Sequence, residues 1–175
     1  TETLIRFRTV DGNDSAMQQA ARFVKEYFKN IPVKIEEFNF NGYPALVITT
    51  KDTRTPKIFF QGHLDVVDGK AEQFESFQDA DKLYGRGSVD MKGFDALSMH
   101  LLRQMAIQHP EADLGLMLTF DEEIGSPNGA SQLAEAGFVP QLLINGDGGY
   151  NDAVIHAEKG ILKIKLIAQT TAGRH

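Results

Sequence analysis

Five residues in this chain have the chemistry of divalent-cation ligands: His63, Asp90, Glu122, Glu123 and Asp147. Imidazole and carboxylate donors suit zinc, manganese or cobalt at a catalytic site better than a structural zinc knuckle. The chemistry such a set supports is hydrolysis by water activated at a pair of cations. His63 is followed two residues later by Asp65, and a ligating imidazole commonly gives its second N–H to a carboxylate, which fixes its tautomer and aim. Asp90 closes a glycine-rich run, Tyr84-Gly85-Arg86-Gly87-Ser88-Val89-Asp90, just where a helical pattern starts, a position from which one carboxylate could bridge two cations. The adjacent Glu122 and Glu123 allow a division of labour, in which one binds a cation and the other, unbound, takes a proton from water. The residue types alone do not say which does which.

Each feature has an ordinary explanation when taken singly: a polar loop, a helix-capping Asp, a pair of surface acids. The glycine-rich run also invites comparison with a dinucleotide-binding loop. That loop needs glycine where Asp90 stands, and a carboxylate there would repel a pyrophosphate. His100, His109 and His156 sit in less suggestive contexts. The chain has no Gly-x-Ser-x-Gly elbow of a serine hydrolase and no cysteine, so thiolate metal sites, disulfides and a cysteine nucleophile are excluded.

The elements that must deliver these residues can be read from periodicity. Short apolar runs at 58–60, 114–120 and 142–144 lack alternation, as expected of strands buried on both faces of a mainly parallel sheet. The first leads into Gly62-His63-Leu64-Asp65, the second into Asp121-Glu122-Glu123, the third into Gly146-Asp147-Gly148-Gly149. In such a sheet the site forms beyond the carboxyl ends of the strands, so segments far apart in sequence converge. Helical patterns at 91–108 and 130–136 lie between these strands, the second stopped by Gly137. Before them, 15–29 is an amphipathic helix with Asn13, Asp14 or Ser15 as cap, and 33–40 and 45–50 form a hairpin around Asn41-Gly42. Strands alternating with helices predict an α/β layered domain. Residues 161–168 alternate apolar residues with Lys163 and Lys165, the pattern of a strand outside the buried sheet.

The chain has 175 residues, enough for one sizeable core. A net charge of −6 argues against a nucleic-acid partner, which needs a basic surface. No apolar stretch approaches the ~18 residues of a membrane span, and the first residues show no signal-peptide run. These features lead to the expectation of a cytoplasmic protein.

Taken in order, the four segments resemble the family of zinc aminoacyl hydrolases that includes acetylornithine deacetylase, succinyl-diaminopimelate desuccinylase, aminoacylase and the glutamate carboxypeptidases. The matching pieces are Gly62-His63-Leu64-Asp65-Val66-Val67, Tyr84-Gly85-Arg86-Gly87 through Asp90-Met91-Lys92-Gly93, Asp121-Glu122-Glu123-Ile124-Gly125-Ser126, and Gly146-Asp147-Gly148-Gly149. The resemblance implies a truncated zinc-exopeptidase-like α/β fold, a three-layer sandwich on a mixed, mainly parallel sheet. Residues 1–160 would be the N-terminal part of the catalytic domain, and 161–175 the first strand of a lid and dimerisation domain. It implies that His63, Asp90 and Asp147 hold one zinc ion and that Asp90 bridges to a second held by Glu123, with cobalt or manganese as alternatives. Glu122 would be the general base, Asp65 a tuning residue behind the site, and His175 the lid histidine that reaches a partner's site in dimeric members. The Asp90–Met91 peptide bond would be cis. The implied activity is cleavage of an amide bond in an N-acyl amino acid or small peptide by a homodimer. A second histidine ligand, supplied in the family by a C-terminal stretch, has no counterpart here, so this chain alone is expected to be inactive. The alternative is a non-catalytic metal-binding or dimerising module on the same fold.

Overall fold

The computed structural model describes residues 1–148 and 153–157. Its order is α1 (Glu2–Arg6), α2 (Asp14–Tyr27), β1 (Lys34–Phe40), β2 (Tyr43–Thr49), β3 (Ile58–His63), β4 (Phe77–Asp79), β5 (Lys82–Tyr84), α3 (Lys92–Gln108), β6 (Leu114–Thr119), α4 (Ala130–Glu135) and β7 (Leu142–Asn145). The main sheet runs β1-β2-β6-β3-β7, and β4 and β5 form a separate hairpin. β3 lies parallel to both β6 and β7, while β1 and β2 pair antiparallel at one side. The sheet is therefore mixed with a parallel centre, as the α/β reading requires.

Period-two alternation divides the core into two layers. Leu46, Ile48, Leu116 and Leu118 face Met17, Ala20, Ala21, Val24 and Phe28 of α2 and Met99 and Leu102 of α3. Ala45, Val47, Phe59 and Met117 face Leu133 of α4 and Phe138 on the other side. Helix–sheet–helix is the three-layer sandwich expected. α2 starts where Asn13 accepts a hydrogen bond from the Ala16 N–H, satisfying one of the donors a helix start leaves free. The β1–β2 turn puts Asn41 and Gly42 at φ 55° and 97°, the two positive values a two-residue hairpin loop demands.

One expectation fails. The run 142–144 is not buried on both faces: Leu142 and Leu143 are about half exposed. Among the described residues β7 is the last strand of the sheet and pairs with β3 alone, and an apolar run shows that a strand can be covered, not that the described residues cover it. The strand expected at 161–168, Gly149 and His175 lie outside the described residues. Two features were not foreseen. α1 is too short to show a helical period, and the β4–β5 hairpin is held by Phe77 stacked on Tyr84 at 4.8 Å.

Leu118, fully buried at the centre of the sheet, supports the strand that leads to Glu122 and Glu123. Leu118→Ala should cost about 2–5 kcal/mol in urea unfolding; a loss below about 1 kcal/mol would show that the core does not close around β6.

Candidate metal centre

The parallel register brings three strand ends level: His63 pairs with Thr119, and Gln61 with Asn145. His63 is the last residue of β3. Glu122 and Glu123 lie on a short 3-10 turn just after β6, and Asp147 follows β7. Asp90 arrives from the side, immediately before α3, and its bond to Met91 is cis. All five residues predicted from the sequence therefore meet at one sheet edge.

The imidazole is the centre of the arrangement. His63 Nε2 lies 3.1 Å from Asp90 Oδ1, 3.7 Å from Glu122 Oε2 and 3.9 Å from Asp147 Oδ2. The His63 side chain is completely buried, whereas those of Asp90, Glu122 and Asp147 are 58%, 40% and 37% exposed, so the acids of the cluster are open to solutes. Nδ1 faces the Asp65 backbone carbonyl at 3.1 Å and the Asp65 carboxylate at 3.4 Å. The sequence reading gave this contact to the carboxylate; the carbonyl takes the shorter one. Asp65 Oδ2 accepts from the Glu123 N–H at 2.9 Å, and Glu123 Oε1 accepts from the Val67 N–H at 3.2 Å. Asp65 thus fastens the β3 loop to the β6 turn and holds Glu123 in place.

The electrostatics are those of a site built for cations. Burial pushes the Glu122 carboxyl above its ordinary range, and Asp147, Glu123 and Asp65 add to the rise, opposed by His63. Burial and then the Asp90 charge raise Glu123, with the Val67 N–H working against them. Burial by itself would lower His63, but the Asp65 side chain and the charges of Asp65, Glu122 and Asp95 outweigh it and lift the imidazole to about 9. Crowded acids that raise one another are stabilised by a multivalent cation in their midst.

The donors fit such an ion. His63 Nε2 is a buried nitrogen with no hydrogen-bond partner among the described residues. Two groups, His63 with Glu122 and Asp147, and His63 with Asp90 and Glu123, each bring their ligand atoms within 4.8 Å of one another. Glu122 stands closer to the imidazole than Asp147, a proposed ligand, does, so proximity does not separate base from ligand. His100 and His109 are exposed on and beside α3, away from the cluster, while exposed His156 lines the open groove it shares with Glu122 and Asp147. The buried pair Lys92 and Asp95 beneath the site was missed, although both fall on the buried stripe of α3 with Met99, Leu102 and Ala106.

Parallel strands, a cluster of acids about one imidazole and a helix that starts at a carboxylate define the class. The sequence pattern of peptidase family M20/M25/M40 matches residues 59–169, and the chain belongs to that family. It is 28% identical over 176 residues to the probable succinyl-diaminopimelate desuccinylase of Staphylococcus aureus strain Mu50, covering 94% of this chain and 42% of that protein. It is 32% identical over 143 residues to the succinyl-diaminopimelate desuccinylase of Pseudoalteromonas atlantica, covering 77% of this chain and 37% of that protein. The chain thus spans well under half the length of these relatives. Its fold is shared with human carnosine dipeptidase 1 (TM-score 0.69, 14% identity, 82% of this chain, 36% of that one). An M20 family metallo-carboxypeptidase from Sulfolobus solfataricus shares it too (TM-score 0.68, 18% identity, 84% and 36%).

A pH dependence follows from the raised imidazole. Below a pKa of about 9 His63 carries the proton that a cation must displace, so binding competes with protonation and strengthens as pH rises. Zinc affinity measured calorimetrically should increase by about tenfold per pH unit between roughly pH 6 and 8 for one displaced proton. An affinity flat over that range would remove His63 from the ligand set.

Proposed function

We propose that this chain forms the metal centre of a metal-dependent hydrolase that cleaves an amide bond in an N-acyl amino acid or small peptide. The observation that carries the reading is the buried Nε2 of His63, without a hydrogen bond among the described residues, with carboxylate oxygens of Asp90, Glu122 and Asp147 arrayed within 3.9 Å of it. Family membership supports it, since the relatives are named as desuccinylases.

His63, Asp90 and Asp147 would hold one ion, and Asp90 and Glu123 a second, with zinc the first choice and cobalt or manganese alternatives. When bound, such ions polarise a carbonyl and lower the pKa of water to ~7. The protein does the rest. Asp65 holds Nδ1 of His63, so that Nε2 presents its lone pair outward. Glu123 is held at both its N–H and its carboxylate, as suits a ligand. Glu122 has the freer carboxyl, and the rise forced on it by burial and its acidic neighbours suits a proton acceptor. Glu122 takes a proton from the attacking water as the new C–O bond forms. It returns that proton to the amide nitrogen as the C–N bond breaks, which makes the amine a competent leaving group.

Both donor groups draw on His63, whose Nε2 faces Asp90, Glu122 and Asp147, and one lone pair serves one ion. The second ion therefore has no imidazole among the described residues. In the same reading, 161–175 opens a lid and dimerisation domain, the working protein is a cytoplasmic homodimer, and efficient turnover needs a further ligand and the lid.

Zinc titration of the 175-residue chain should give no more than one tight equivalent, with any second at least tenfold weaker; two equal tight sites would refute the asymmetry. Glu122→Gln, in a catalytically competent form of the protein, should retain its metal and lose turnover by ~10²–10⁴-fold or more. Loss of metal instead would make Glu122 a ligand.

A further inference from the structure

Residues 7–9, between α1 and α2, run along the loop that leaves β3. Each is tied down. The Phe7 carbonyl accepts from the buried Lys92 Nζ at 2.7 Å. The Arg8 carbonyl accepts from Asn13 Nδ2 at 2.8 Å, and Arg8 Nη2 donates to Asp68 Oδ1 at 2.6 Å. Thr9 follows and is completely buried.

Thr9 grips the loop on either side of Asp65. Its hydroxyl donates to the Leu64 carbonyl, and its own carbonyl accepts from the Val66 N–H at 3.1 Å. The Phe7 carbonyl stands farther from the hydroxyl, at 3.4 Å, so the single hydroxyl proton goes to Leu64. The residue held between these two peptide groups has two tasks in the site. The Asp65 carbonyl lies 3.1 Å from His63 Nδ1, and the Asp65 carboxylate accepts from the Glu123 N–H at 2.9 Å. One residue beyond the grip, the Val67 N–H donates to Glu123 Oε1 at 3.2 Å. The contacts that aim His63 and Glu123 therefore come from the short stretch 65–67, and Thr9 holds it at Leu64 and Val66. A buried carbonyl that loses its donor costs ~1–3 kcal/mol, which the peptide between Leu64 and Asp65 could relieve only by turning. Turning it re-aims Asp65.

We infer that Thr9 is a positioning residue of the metal centre: through the Leu64 carbonyl and the Val66 N–H it fixes the aim of Asp65, and through Asp65 that of the His63 imidazole and the Glu123 carboxylate. The inference rests on the metal-centre reading above. Loss of a group that orients a ligand lowers metal affinity by ~10–100-fold. Thr9 acts one residue further back, which places it at the low end of that range.

The test is zinc calorimetry on the full 175-residue chain and on Thr9→Val, Thr9→Ala and Thr9→Ser, with melting of each metal-free protein. Valine keeps the shape and removes the hydroxyl, alanine removes both, and serine keeps the hydroxyl. Val24→Ala, in the buried core on α2, is the control that lowers stability away from the loop. The expected result is a zinc affinity lowered ~10-fold in Thr9→Val and Thr9→Ala and close to the parent's in Thr9→Ser and Val24→Ala. A folded Thr9→Val or Thr9→Ala that binds zinc as tightly as the parent overturns the inference while leaving the metal-centre reading intact. So does a Thr9→Ser as weak as Thr9→Val, since the hydroxyl is then not the cause. A Val24→Ala as weak as Thr9→Val, or failure of both Thr9→Val and Thr9→Ala to fold, would make the role structural and overturn it as well. A parent chain that binds no zinc overturns the metal-centre reading itself, and this inference with it.

Discussion

Negative charge crowded around one buried imidazole is the constraint on which this structure turns. Asp90, Glu122 and Asp147 point carboxylate oxygens at Nε2 of His63, Asp65 stands at Nδ1, and Asp95 lies beneath. In water these acids would separate. Here the fold holds them together, because each is attached to an element whose position is set elsewhere by packing. Parallel pairing of β6, β3 and β7 levels the strand ends, and the two apolar layers prevent the sheet from sliding.

Small residues make the close approaches possible. Gly62 admits the Asp95 carboxyl, and Gly129 lets Asp121 fold back over the β6 turn, where Asp121 Oδ2 accepts from the Asn128 N–H at 2.6 Å. The turn bearing Glu122 and Glu123 is thus clamped from both sides, by Asp121 and by Asp65. Such clamping lets groups that repel one another stay where a cation needs them, without reorganisation when it arrives.

Much of this was legible in the sequence, for identifiable reasons. α2 and α3 announce themselves by apolar spacing, and Asn41-Gly42 by the backbone conformation it demands. The strand ends could be matched to ligands because a buried run followed by a polar, chemically active residue has few other uses. β7 was misread because an apolar run looks the same whether or not these residues cover it. The anchoring of Glu123 through the Asp65 carboxylate and the Val67 N–H depends on backbone geometry that no residue pattern encodes. Lys92 and Asp95 were available to inspection, as charges on an otherwise apolar helix stripe, but charge at a helix start reads first as capping.

The central claim is that one imidazole and several carboxylates hold a cation at the end of β3. X-ray absorption at the zinc edge, on the chain loaded with one equivalent, tests it directly. The account predicts a shell of nitrogen and oxygen donors at ~2.0–2.2 Å containing a single imidazole. A shell of oxygens alone, or one with two or more imidazoles, would contradict it.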